Sequence, residues 1–117
     1  MSAATDLRAA LASYTALVAL VADRIAQDFV EPNTARPYLA YTAGELQTER
    51  GIGGDVLSTR QPFALQCWAD NRLAAVAVAD AAEAAIEAAG QRVSSRTTGY
   101  DDELDLECEI LSIDWWV

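Results

Sequence analysis

Residues 71–89, "NRLAAVAVADAAEAAIEAA", leave the chain the fewest conformational alternatives. Alanine-rich sequence favours helix, Asn71 is placed to cap the first turn, and Gly90 can take the left-handed conformation that ends one. Asp80, Glu83 and Glu87 recur on one side, so the other side is apolar and needs a surface to cover. The neighbouring segments have the period of strands, not helices. Before the helix, "RQPFALQCWAD" sets Phe63, Leu65, Cys67 and Ala69 on one face, with Pro62 at the strand's start, where an edge suits it. After it, "DDELDLECEI", residues 101–110, alternates Leu104, Leu106, Cys108 and Ile110 with Glu103, Asp105, Glu107 and Glu109. The parity flips at Ile110-Leu111, since Leu111, Ile113, Trp115 and Val117 form the next apolar set; a β-bulge or a change of packing partner would account for it.

The rest of the chain completes an α+β pattern. Leu7, Leu11, Tyr14, Val18 and Val21 form one stripe of a helix over about residues 4–22, with Thr5 or Ser2 as N-cap. Pro32, Asn33 and Pro37 break the following segment into a loop with a short extended piece around Arg24 to Phe29. "PYLAYTAGEL" reads as a strand, and Gly51, Gly53 and Gly54 make a flexible tip within residues 45–60. The expected architecture is one domain, residues 1–117: two helices packed on a small, mainly antiparallel β-sheet with a long glycine-containing hairpin.

Composition narrows the function. Eighteen acidic and eight basic residues give a formal charge of −10, which argues against binding nucleic acid through its phosphates. Histidine is absent, removing the commonest general base and transition-metal ligand. Cys67 and Cys108 each lie at an apolar parity position and read as reduced core residues, with a disulfide or redox pair the alternative. The N-terminal segment lacks a basic start, and Tyr14 and Thr15 interrupt its apolar character short of the roughly 20 residues a membrane span needs. A cytosolic, non-membrane protein is expected.

No motif announces catalysis. "GIGGD" lacks the Lys-Ser/Thr of a phosphate-binding loop, and no helix follows it; Glu49, Arg50, Ile52 and Asp55 at this tip are instead suited to a partner contact. The alternating acids allow a cation site, a wet sheet face, or a surface that rejects another polyanion. Carboxylates two apart on a straight strand diverge by about 7 Å per step and do not converge on one ion unaided. No enzyme activity, cofactor or metal site is expected. The consecutive Trp115 and Trp116 must point to opposite faces if extended, so one can be core while the other needs a second apolar surface, within the monomer or on another subunit.

Asp23-Arg24-Ile25, Pro37-Tyr38-Leu39-Ala40-Tyr41, and Trp68-Ala69 running into the helix at 71–89 occur in an order that resembles the tail completion, or tail terminator, family of long-tailed phages and gene transfer agents. The resemblance covers nearly the whole chain, although the acid density of the final strand departs from the family pattern. It implies a structural subunit of a homo-oligomeric, hexameric ring that caps the tail tube, ends its growth and joins the tail to the neck. Another head–tail connector subunit and a small acidic adaptor domain are the alternatives. The implied partners are the tail tube protein and a neck or connector protein. DNA would pass through without specific binding, with assembly in the host cytoplasm and final location at the tail–neck junction of the particle. Glu103, Asp105, Glu107 and Glu109 would then face the channel, repelling phosphates. Glu49, Arg50, Ile52, Asp55, Trp115 and Trp116 would contact a subunit or an axial partner.

Overall fold

The computed structural model describes residues 3–28, 34–54 and 56–116. Its elements are α1 (Ala3–Ser13), α2 (Thr15–Val21), β1 (Ile25–Gln27), β2 (Tyr38–Ala43), β3 (Gln47–Arg50), β4 (Val56–Ala69), α3 (Arg72–Ala88), β5 (Arg92–Asp101) and β6 (Leu106–Trp116). The six strands make one sheet in the order β1-β2-β4-β6-β5, with β3 also paired to β4. All pairings are antiparallel except β1 on β2. The fold is α+β, with the helices on one face.

The N-terminal helix is not continuous. Tyr14 is extended, at φ −87° and ψ 109°, and the axis bends by 85° between α1 and α2. The reason lies in the spacing of the buried side chains. Leu7 and Leu11 form one i, i+4 pair and Leu17 and Val21 another, but the six-residue step from Leu11 to Leu17 would turn Leu17 about 120° away on a straight helix. The break resets the phase, so both pairs reach the core. Leu17 replaces Val18 of the expected stripe, and α1 starts early enough to place Thr5 in its first turn; Ser2 lies outside the described residues. No single helix is long and apolar enough to cross a membrane, and the α1–α2 pair that passes such a test together is this bent one.

α3 follows its sequence signals. Asn71 accepts a hydrogen bond from the Ala74 N–H at 2.8 Å, a cap typically contributing about 1 kcal/mol. At the other end Gly90 has φ +84°, and the Gln91 N–H returns to the Ile86 carbonyl at 3.1 Å. Ala75, Ala79, Ala82 and Ala85 are buried, so the helix backbone comes close to the sheet. Leu39, Tyr41, Phe63, Leu65, Leu111, Ile113 and Trp115 meet Leu7, Leu11, Leu17, Val21, Val78 and Ile86 in one core. Tyr41 and Phe63 stack edge to face with centroids 6.2 Å apart.

β4 is long because it changes partner. Its first part pairs with β3, where Gln47 faces Arg60; its second part pairs with β2, where Ala43 faces Phe63. Pro62 therefore lies inside the strand, not at its start. It occupies the changeover between β3 and β2, which asks no N–H of it, and its carbonyl accepts from Gly44 at 2.8 Å. Beyond Arg60 the β3–β4 ribbon extends past the end of β6, whose Trp116 is paired with Arg60. The molecule is accordingly elongated, 52 × 29 × 23 Å.

Candidate functional site

The sequence Asp101 to Asp105 bends before it can form a strand. Asp101 closes an Asx turn, its carboxylate accepting the N–H groups of Glu103 at 3.0 Å and Leu104 at 3.1 Å. Asp105 adopts φ +53°, a conformation aspartate tolerates better than most residues. Glu103, Leu104 and Asp105 are thus exposed turn residues between β5 and β6. The four acids do not share one strand face, and the ladder expected from the alternation is corrected to two on the strand and two on the turn.

Tyr100 donates to Asp105 across this turn at 2.5 Å. That bond above all, with the negative charges of Asp105, Asp102 and Glu107 adding to it, pushes the phenol up to about 12 from its usual value of 10.0. A pKa raised in the folded state means that the contact stabilises the turn fully below about pH 10 and is lost as pH rises through 12. Burial also raises the Tyr38 phenol, so tyrosinate absorbance should show two late-titrating tyrosines, and Asp105→Asn should move the Tyr100 step alone back toward 10; an unmoved Tyr100 titration would remove the assigned bond.

Glu107 and Glu109 point toward the helices, not away from them. The β4–β6 register runs without interruption from Ala69↔Glu107 to Arg60↔Trp116, so β6 contains no bulge; the irregularity lies in β5, between Val93 and Ser95. Glu107, Glu109, Leu111, Ile113 and Trp115 all share the helix-facing side. The apolar parity flips because the packing partner changes: at this end the helix face is covered by cations. Arg72, in the first turn of α3, pairs with Glu107 and, at 2.8 Å, with Glu109, and also donates to the Gly99 and Cys108 carbonyls. Arg96 of β5 reaches Asp80 at 2.8 Å, Glu83 at 3.5 Å and Glu109 at 3.4 Å. Glu109 is only 5% exposed, and its charge is compensated by both guanidiniums. On the opposite face Leu106 and Cys108 are buried as well.

Neither arginine was singled out by sequence reasoning. The available signal was faint: Arg92 and Arg96 lie in the stretch from Ala88 to Tyr100, which holds no acid, and Arg72 immediately follows the cap. The cysteines are free and buried on opposite faces of the sheet, with burial pushing both thiols up, Cys108 to about 11. Among the described residues no group of three or more acids or cysteines is placed to hold a metal ion.

The candidate contact residues separate into three groups. Trp115 is 5% exposed and packs in the core of the subunit. Trp116 remains 44% exposed on the other face, with the Arg60 guanidinium 5.8 Å from its ring centroid. Gln91 fastens its backbone, accepting from the Trp116 N–H at 2.9 Å and donating to its carbonyl at 3.0 Å. At the ribbon tip Ile52 is fully exposed, while Arg50 folds back to donate to the Gly54 carbonyl at 3.1 Å. Asp55 and the side chain of Glu49 lie outside the described residues.

The geometry offers an elongated ribbon, an open strand edge at β5 and an acidic turn, which are features of assembly more than of chemistry. The fold is similar to that of a chain in the virion of a native gene transfer agent particle, with a TM-score of 0.64 and 19% identity over 95% of this chain and 90% of that one. No curated protein sequence matches the chain. The family model described as Tail completion protein gp17 matches residues 5–117. With nearly every residue from α1 to the end of β6 inside that match, the chain belongs to the tail completion protein gp17 family, structural proteins of phage tails.

Proposed function

We propose that this structural protein of a phage-like particle closes the tail tube: several copies form a ring on the tube's head-proximal end, stop its growth and present a surface to the neck. The observation that carries this reading is the family match over residues 5–117, supported by the likeness of fold to a chain of a gene transfer agent virion. A hexamer would carry about six times −10 formal charges around a path taken by DNA, a field that repels phosphates. The acids that remain suited to a channel are those on the β5–β6 turn, including Glu103 and Asp105, because they are exposed. Glu107 and Glu109 are already committed to Arg72 and Arg96, and would contribute little to the field of the lumen.

Light scattering of the protein alone and with purified tail tubes, at two salt concentrations, tests the ring, and imaging of the tube ends tests its place. About six copies at the head-proximal end are expected, together with tubes that no longer elongate. A protein that stays monomeric and leaves tube ends bare would refute the reading. An imaged ring with Glu103 and Asp105 on its outer rim would end the channel assignment alone.

A further inference from the structure

The sheet is unfinished at both sides. β5 is its last strand on one side, and among the described residues β3 pairs with β4 only, leaving its far edge unpaired. Open edges are normally protected by charge, proline or cover, since their unpaired N–H and C=O groups invite another strand. β5 has little of this protection. From Ser95 to Gly99 its one charged side chain, Arg96, is turned onto α3 and Glu109, leaving serine, threonines and glycine along the edge. A two-stranded ribbon is itself marginal in water.

From these edges we infer that β3 of one copy adds to the β5 edge of the next, so that the sheet continues from subunit to subunit. The occupant is a second copy of this chain, and the inference rests on the ring reading above. Strand direction favours it. β3 runs antiparallel to β4, and β5 runs antiparallel to β6, which is itself antiparallel to β4. In a head-to-tail ring, where every copy keeps the same orientation, β3 therefore meets the neighbouring β5 antiparallel, without inverting a subunit. Charge favours it too. In a chain of net charge −10, the stretch 92–100 contains two arginines and no acid, so it is the edge that least repels another copy.

Parity selects a register. Gln47 aligns with Arg60, on the sheet face away from the helices, and Thr97 aligns with Ile110 on that same face. With Gln47 opposite Thr97, the ribbon tip continues toward the start of β5. There a groove of about 420 Å³ is lined by residues that include Gln91, Arg92, Ser94 and Trp116, a seat for the exposed Ile52. Gln47 is level with Trp116 and Thr97 with Ile110, a stagger of six residues, or about 20 Å at ~3.3 Å per residue. Across the four strands of the path β3-β4-β6-β5, spaced ~4.8 Å apart, that stagger inclines the strands by about 45° to the ring axis, at the upper end of the range of closed sheets.

A Gln47→Cys/Thr97→Cys double variant tests the pairing, because directly opposed residues of an antiparallel pair lie at disulfide distance. Within one chain β4 and β6 separate the two positions, and the native thiols are buried, so a bond between the new cysteines must join copies. The variant is first checked for a native circular dichroism spectrum and for ring formation on tail tubes, then oxidised. The expected result is a ladder of linked copies, with on the order of tenfold more crosslinked chain than either single variant. Rings on tube ends without the ladder would overturn the edge pairing and leave the ring standing. Bare tube ends with unmodified protein would overturn both.

Discussion

Leu65→Ala should lower the stability of the folded chain by about 3–4 kcal/mol, the middle of the usual range for deleting a fully buried leucine. Leu65 sits at the centre of the sheet, opposite Tyr41 on β2 and Leu111 on β6, and is wholly inaccessible to solvent. Its neighbours are held by strand pairing on both sides and by α3 above, so the cavity cannot collapse easily. Urea denaturation of the two proteins would measure the loss. A cost near 1 kcal/mol would mean that the core is looser around β4 than its burial implies.

Arg72→Ala should cost about 2–3 kcal/mol, slightly below the range for breaking a fully buried ion pair. The discount follows from exposure: the Arg72 side chain is 38% accessible, so part of its charge is already solvated. The loss falls on its partners. Glu109, with a side chain 7% accessible, would keep only Arg96 among cations and would lie on the same face as an unpaired Glu107. Glu107→Gln, which leaves Arg72 with Glu109, should cost well under half as much. Chemical denaturation of both variants checks the ordering; equal losses would show that Glu107, not Glu109, dominates the cluster.

The ion cluster also explains how a strongly acidic strand can exist. Like charges two residues apart on one face repel, but here cations from two other elements are interleaved with them. Arg72 comes from the start of α3 and Arg96 from β5, so the cluster joins helix, edge strand and central strand at one end of the sheet. It also withdraws from the edge the one charge that could protect β5 between Ser95 and Gly99. Packing within the subunit and openness toward another subunit are therefore linked through Arg96.

Local sequence was enough for α3, whose cap, alanine content and terminal glycine all act within a few residues. It was enough for the buried face of β4, where a period of two over Phe63, Leu65, Cys67 and Ala69 reports one-sided packing directly. It also supported the α+β class and the family, since both depend on the order of elements. Tertiary structure decided the rest. The break at Tyr14 depends on where the core lies relative to two leucine pairs, and Pro62's place depends on β4 exchanging β3 for β2. The acids of "DDELDLECEI" divided between a turn and a cation-lined helix face because an Asx turn at Asp101 competed with strand extension and Arg72 and Arg96 arrived from distant positions. Periodicity records which side chains share a face; it does not record what covers that face, because the covering charges belong to other parts of the chain.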